Sequence, residues 1–236
     1  MVTPSHVFNV EENSRPQKIG VSAHGNDARL LIADDHAMFA EMLRIYLEKT
    51  YRVVGVVANG RAMVEETTRL RPEVIVVDVG MPLLNGLDAA RTVIEQAPHI
   101  KFVFLTMRDD RNLAAAALEL GAVGFVLKHS AGHELLHAIN HVLHGKPYLT
   151  AKLKAEDWVE AKARAQQFSK EMTPRQREIV QLHGEGRSIK EIASILDISK
   201  KTVEFHKHHI QQSFGLRSNA DMVLFAVKQG LISVTH

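Results

Sequence analysis

The chain has 236 residues, 45% hydrophobic and 24% charged, a balance that suits one large or two small globular domains and excludes fibrous or wholly disordered proteins. Net charge is only +2, but it is unevenly spread: residues 1–144 carry −3, while residues 172–236 carry +3 and five histidines, which predicts two domains with different partners. Without cysteine there is no disulfide framework or thiolate metal site, and apolar runs such as Val74–Val77 fall far short of the roughly 20 residues of a membrane span. A cytoplasmic protein with no membrane partner is expected, because no secretory pattern opens the chain.

Residues 1–28 are polar and aperiodic and read as a flexible tail. From Arg29 a regular alternation begins. Leu30–Ala33 is a short apolar run ending at Asp34-Asp35, and Met38, Met42, Ile45 and Tyr46 then recur at helical spacing. Four more strand–helix units follow. They pair Arg52–Val57 with Ala62–Leu70, Val74–Val77 with Leu87–Gln96, Lys101–Leu105 with Asp109–Leu120, and Val123–Leu127 with Ala131–Leu143. Strand runs without polar alternation imply burial on both faces, and a repeated strand–helix order implies an α/β doubly wound parallel five-stranded sheet over residues 29–145. Residues 146–171 read as a linker in which Ala155–Phe168 can form a charged helix.

In such sheets, ligands bind at the carboxyl ends of the strands. The residues at those ends are Asp34, Asp35, Asp78, Thr106 and Lys128. Three converging carboxylates need a counter-ion, and a hard divalent cation such as Mg2+ suits an oxygen donor set. Lys128 can balance charge, Thr106 can hydrogen-bond a phosphoryl oxygen, and an aspartate can serve as the nucleophile in phosphoryl transfer. A single aspartate here could equally be a helix cap, as Asp35 before His36 could be; all five at consistent strand ends could not.

On these residues, and on the loop Asp78-Val-Gly-Met-Pro-x-x-x-Gly86 and Phe125-x-x-Lys128, residues 29–145 resemble a response-regulator receiver domain. The resemblance implies a flavodoxin-like fold and phosphorylation of Asp78 by a sensor histidine kinase. It also implies Mg2+ held by Asp34, Asp35, Asp78 and the Gly80 carbonyl, and a switch pair made of Thr106 and Phe125. His129 stands where the family usually has proline after the lysine.

Residues 172–236 lack strand patterns and read as four helices. Thr173-Pro174 with Gln176, and Ser188 with Glu191, are capping boxes opening the first two. Ser199 caps a third helix to about Phe214, and the fourth covers Asn219–Gln229. The close spacing of the second and third is that of a helix-turn-helix, and the third helix carries Lys200, Lys201 and Lys207 with three histidines. The runs Met172-Thr-Pro-Arg-Gln-Arg-Glu-Ile179, Ile189-x-Glu-Ile-Ala193 and Ser199-Lys-Lys-Thr-Val-Glu-x-His206 are similar to the LuxR/FixJ-type helix-turn-helix. The whole chain looks like a NarL/FixJ-family transcriptional regulator. That implies double-stranded promoter DNA as partner and a homodimer when phosphorylated. It also implies that Lys201, Thr202 and Lys207 face the DNA backbone, and that Glu204, Phe205 and His208 face the bases. No turnover of an external substrate is expected, only slow self-dephosphorylation.

Two other readings are open. His133-Glu134-Leu-Leu-His137 matches the formal zinc-protease motif, with Asp157 or Glu160 as a possible third ligand. Alternatively the receiver serves only as a dimerisation module, independent of phosphorylation. The longer series His129, His133, His137, His141, followed by His144, is either a polar exposed face or a pH- or metal-sensitive dimer surface.

Overall fold

The computed structural model describes residues 27–107, 111–121, 123–150 and 172–232. Nearly all of the stretch read as a tail, and the helix expected at Ala155–Phe168, lie outside the described residues.

The N-terminal unit runs β1 (Arg29–Ala33), α1 (Ala37–Leu47), β2 (Arg52–Val57), α2 (Gly60–Leu70), β3 (Val74–Asp78), α3 (Gly86–Gln96), β4 (Lys101–Thr106), α4 (Arg111–Leu118), β5 (Val123–Leu127), α5 (Ala131–Leu143) and β6 (Tyr148–Leu149). The strands pair in the order β2-β1-β3-β4-β5-β6, all parallel. The period of two sorts their side chains into two cores. Leu31, Ala33, Ile75, Val77, Phe102, Phe104 and Phe125 face α2, α3 and α4. Leu30, Ile32, Val74, Val76, Val103 and Leu105 face α1 and α5. Both faces are covered, so the strands read as unbroken apolar runs.

The sheet has six strands where five are expected from the sequence. The sixth, in the stretch read as linker, pairs Tyr148 with Gly124 and Leu149 with Phe125. Two residues after Pro147 are too few to show any periodicity. What recruits them is the open edge of β5, whose unpaired backbone groups accept a short partner.

The C-terminal unit is α6 (Pro174–Gly184), α7 (Ile189–Leu196), α8 (Lys200–Phe214) and α9 (Asn219–Lys228) around Ile179, Val180, Ile192, Leu196, Val203, Ile210, Met222 and Ala226. Capping boxes open α6, α7 and α9, and the Ser199 side chain caps α8 by accepting from the Thr202 amide. Asp197, in the left-handed region at φ 51°, makes the tight turn between α7 and α8. Among the described residues no helix is long and apolar enough to cross a membrane.

Candidate functional site

Parallel strands β1, β3, β4 and β5 end at one edge of the sheet, and their last residues meet there. Asp34 and Asp78 are buried, Lys128 is buried, and Thr106 is buried at the end of β4; Asp35 is exposed at the rim. Lys128 Nζ lies 2.8 Å from Asp34 Oδ2 and 2.9 Å from Asp78 Oδ2, and it rests 4.9 Å from the centre of the Phe39 ring of α1. One ammonium thus bridges two buried carboxylates.

The electrostatics follow from that crowding. Burial, and behind it the charge of Asp34, pushes the Asp78 carboxyl above the usual carboxylate range, against the pull of Lys128. Burial alone would lower Lys128, but Asp78 and Asp34 outweigh it and hold its ammonium above the ordinary lysine value. The backbone around Asp78 is also tied down. The Gly80 amide donates to Asp78 Oδ1 at 3.3 Å, and the Gly86 amide donates to the Val79 carbonyl at 3.0 Å.

Gly86 admits no side chain: a Cβ there would stand 2.2 Å from the Asp78 carbonyl oxygen. A Gly86→Ala change must therefore spread the loop after β3. We expect it to destabilise the fold by about 1–3 kcal/mol, as overpacking does, measured by chemical denaturation. A value near zero would show that the loop can yield.

His36 is a member of the cluster that the sequence pattern did not single out. It is the N-cap residue of α1, in place of Asp35, and its amide donates to Asp34 Oδ1 at 2.9 Å. Its Nδ1 lies 3.0 Å from Asp35 and 3.2 Å from Asp34. Ligand atoms of Asp34, Asp35, His36 and Asp78 all fall within 4.8 Å of one another. The carboxylate-rich set fits a hard divalent cation, and Lys128 supplies its lysine counter-charge among the described residues. The run Asp-Asp-His was the available signal.

Phe125 has no exposure and packs with Phe102 and Phe104 beneath Thr106 and the end of β4. The peptide bond before His129 is trans, like all those described.

A second set of residues, also missed, joins the two units. Helix α6 lies against the loop between β3 and α3. Gln181 Oε1 accepts from the Asn85 amide at 2.9 Å, and its Nε2 donates to the Met81 carbonyl at 3.0 Å. Arg177 Nε is 2.9 Å from Asp88 Oδ1, Arg61 pairs with Glu178 at 2.7 Å, and Glu185 accepts from the Leu83 amide at 3.0 Å. Leu83, in the left-handed region at φ 66°, packs its side chain on the core of the C-terminal unit. Glu185, Gly230, Leu231 and Ile232 form the far wall of the cleft that opens onto Asp78, Thr106 and Lys128.

The third helix of the C-terminal unit, α8, turns Val203 and Ile210 inward. Lys200, Lys201, Glu204, Phe205 and His208 share its exposed side, and Phe205 is 67% exposed. Thr202 and Lys207 are half-buried: the Thr202 hydroxyl meets Ser199 at 2.8 Å and Lys207 Nζ donates to Asn219 at 2.8 Å. Among the described residues, the side-chain hydrogen bonds to the N-terminal unit come from α6 and Glu185 and not from α8.

The zinc-protease reading meets a positional obstacle. The Glu134 carboxylate accepts hydrogen bonds from the Thr150 and Tyr148 hydroxyls beside β6, so it is engaged as a structural acceptor. Its proposed third ligands, Asp157 and Glu160, lie outside the described residues.

Comparison with known proteins bears on both halves. Residues 30–140 match the response regulator receiver domain family, and residues 170–226 match the bacterial regulatory proteins of the luxR family. The chain is 33% identical to the oxygen regulatory protein NreC of Staphylococcus aureus over 214 residues, 86% of this chain and 99% of that one. It is 30% identical to the transcriptional regulatory protein MctR of Rhizobium johnstonii over 207 residues, 87% and 95% of the two chains. Among solved structures it is similar to RcsB from Salmonella enterica serovar Typhimurium, bound to a promoter in the presence of the phosphomimetic BeF3-. There the identity is 25%, the coverage 89% and 100%, and the TM-score 0.57.

Proposed function

Because the chain belongs to the NarL/FixJ-type response regulators, a receiver joined to a LuxR-type DNA-binding domain, we propose that it is a transcriptional regulator switched at Asp78. The observation that carries the reading is the cleft over Asp78, lined on one side by strand-end residues of the receiver and on the other by the DNA-binding domain. A phosphoryl group on Asp78 is felt directly by the second domain.

The chemistry follows from the positions. An Asp78 carboxylate oxygen attacks the phosphorus of a phosphohistidine on a sensor histidine kinase, or of a small phosphodonor. The bond to the donor breaks and the leaving imidazole takes up a proton. Lys128 balances the charge and Thr106 offers a hydroxyl to a phosphoryl oxygen. Asp34, Asp35, Asp78 and the Gly80 carbonyl would hold Mg2+, which would neutralise charge on the transferring group. The product carries more negative charge than the carboxylate did, in a cleft that Glu185 also lines. Like charges repel, so the contacts of Glu185 with Leu83 and of Gln181 with Asn85 loosen, and the DNA-binding domain is released. Two copies then read paired half-sites as a homodimer, each placing α8 in a major groove. Lys201, Thr202 and Lys207 meet phosphates with Lys200 beside them, and Glu204, Phe205 and His208 meet base edges.

The test is the mass of the intact chain after incubation with Mg2+ and a small phosphodonor, beside an Asp78→Asn control. Gain of one phosphoryl group, absent in the control, is the expected result. No gain in a folded protein, from phosphodonor or from any kinase tried, removes the switch and leaves the receiver as a dimerisation module. On the DNA side, Lys201→Ala is expected to weaken binding to all sequences alike and to lower the salt slope of affinity by about 1. A change confined to one sequence would move Lys201 from phosphate to base contact.

A further inference from the structure

As the N-cap residue of α1, His36 stands where a side chain usually accepts from an amide of the first helical turn. Its imidazole makes no such bond. The main chain holds the residue instead: the His36 amide donates to Asp34 Oδ1 at 2.9 Å, and the His36 carbonyl accepts from the Ala40 amide at 2.9 Å. The ring is left to the cluster at the strand ends. Its Nδ1 edge faces the carboxylates, 3.0 Å from Asp35 Oδ1, 3.2 Å from Asp34 Oδ1 and 3.9 Å from Asp78 Oδ2.

Asp34 divides its carboxylate between two nitrogens. Oδ2 meets the buried Lys128 ammonium at 2.8 Å, and Oδ1 meets the His36 ring, whose side chain is 56% exposed on the open side of the site. The two nitrogens differ in kind. An ammonium has no lone pair and can only compete with a metal ion, whereas an imidazole nitrogen can join one. The spacing fits such a shell. Octahedral bonds of about 2.1 Å put adjacent donor atoms about 3.0 Å apart and opposite ones about 4.2 Å apart. The distances from Nδ1 to Asp35 and Asp34 are those of adjacent corners, and the 3.9 Å to Asp78 lies within the span of the same shell.

A nitrogen donor changes which ion the site prefers. Mg2+ takes oxygen donors and gains little from an imidazole, whereas the affinity of a mixed nitrogen and oxygen set rises along the first-row divalent series from manganese onward. We propose that His36 Nδ1 is a metal ligand, and that it makes the site of Asp34, Asp35, His36 and Asp78 selective for a first-row transition metal ion such as Mn2+ over Mg2+. This rests on the metal site assigned above and names the residue that sets its selectivity. Removing the imidazole should cost Mn2+ binding far more than Mg2+ binding.

The experiment titrates tag-free full-length protein with Mn2+, in a buffer without nitrogen ligands, and follows binding by electron paramagnetic resonance. Binding lost in an Asp35→Asn control belongs to this site, and competition with Mg2+ gives the affinity ratio. Spin-echo modulation then reads whether a nitrogen is bonded to that Mn2+. The expected result is coupling to one directly bound imidazole nitrogen. In His36→Ser, which keeps a residue suited to the N-cap, Mn2+ still binds but the coupling is gone. The preference for Mn2+ over Mg2+ falls there by at least the roughly tenfold that losing even an outer partner of a metal ligand costs. Mn2+ bound at the site without nitrogen coupling, or coupling and preference unchanged in His36→Ser, overturns the role of His36 and leaves the acidic site standing. Absence of any Mn2+ binding that Asp35→Asn removes overturns the site and the proposal together.

Discussion

Lys128→Met is expected to destabilise the receiver by about 3–5 kcal/mol, the usual consequence of removing one partner from a buried charge network. The substitution keeps the length and apolar volume of the side chain, so the loss is electrostatic. Asp34 and Asp78 then share a buried site without their bridging ammonium, whose contacts at 2.8 and 2.9 Å now hold both. A folded protein of this size has a margin of only about 5–15 kcal/mol, so the change is a large part of it. Asp78→Asn has the opposite sign. A carboxyl whose pKa is raised by folding binds its proton more tightly in the folded state, so at every pH above that window its ionised form costs stability. Removing it leaves the Asp34–Lys128 pair intact and is expected to be neutral or stabilising in the absence of Mg2+. Added Mg2+ supplies positive charge at the same place and should rescue Lys128→Met more than it stabilises the parent chain. Urea unfolding with and without Mg2+ checks all three. A Lys128→Met variant within about 1 kcal/mol of the parent would falsify the account of a buried charge bridge.

The second large effect is on domain coupling. Gln181→Ala removes contacts to the Asn85 amide, the Asn85 side chain and the Met81 carbonyl, all within the loop that follows Asp78. Neutral hydrogen bonds contribute about 1 kcal/mol each, so the closed arrangement should lose about 2–3 kcal/mol, a shift of about 30- to 150-fold toward the open form. Two readouts follow. The radius of gyration from small-angle scattering increases, and phosphoryl gain from a donor accelerates because the far wall of the cleft is withdrawn. Gln181→Glu is the useful companion, since it keeps the acceptor for Asn85 but loses the donations to the Met81 carbonyl and to Glu185, and sets a second carboxylate beside Glu185. An unchanged radius and unchanged phosphorylation rate in Gln181→Ala would show that Arg177, Glu178 and Glu185 suffice to hold the domains together.

Which parts of this arrangement the sequence displays follows from what carries periodicity. Asp34, Asp78, Thr106 and Lys128 were recognisable because each terminates an apolar run, and a parallel sheet brings such ends to one edge. The four C-terminal helices were recognisable from their caps, with Thr173, Ser188 and Ser199 each found accepting from the amide three residues on. The domain contact was hidden because Arg177, Gln181 and Glu185 are polar residues on one side of α6. A polar side turned to another domain has the same period as one turned to water. Asn85 and Asp88 were hidden for a related reason: they read as an ordinary helix start, and they are one, with Asn85 capping α3, but they also serve the neighbouring domain. The place of His36 in the cluster follows from its backbone angles at the start of α1, which no spacing rule encodes. The sixth strand was too short to register.

Leu83 gives the two domains a shared history. A receiver residue, held in a backbone conformation that side chains seldom adopt, packs against the hydrophobic core of the DNA-binding domain. Exchanging either domain for a relative's therefore disturbs this contact. A transplanted receiver with a smaller or polar residue at this place leaves a socket in its new neighbour, and a transplanted DNA-binding domain meets a plug shaped for another partner. Chimeras that cross between the domains should recover a tight resting state only when Leu83 and the residues that receive it travel together, and lineages of this protein should change them in concert.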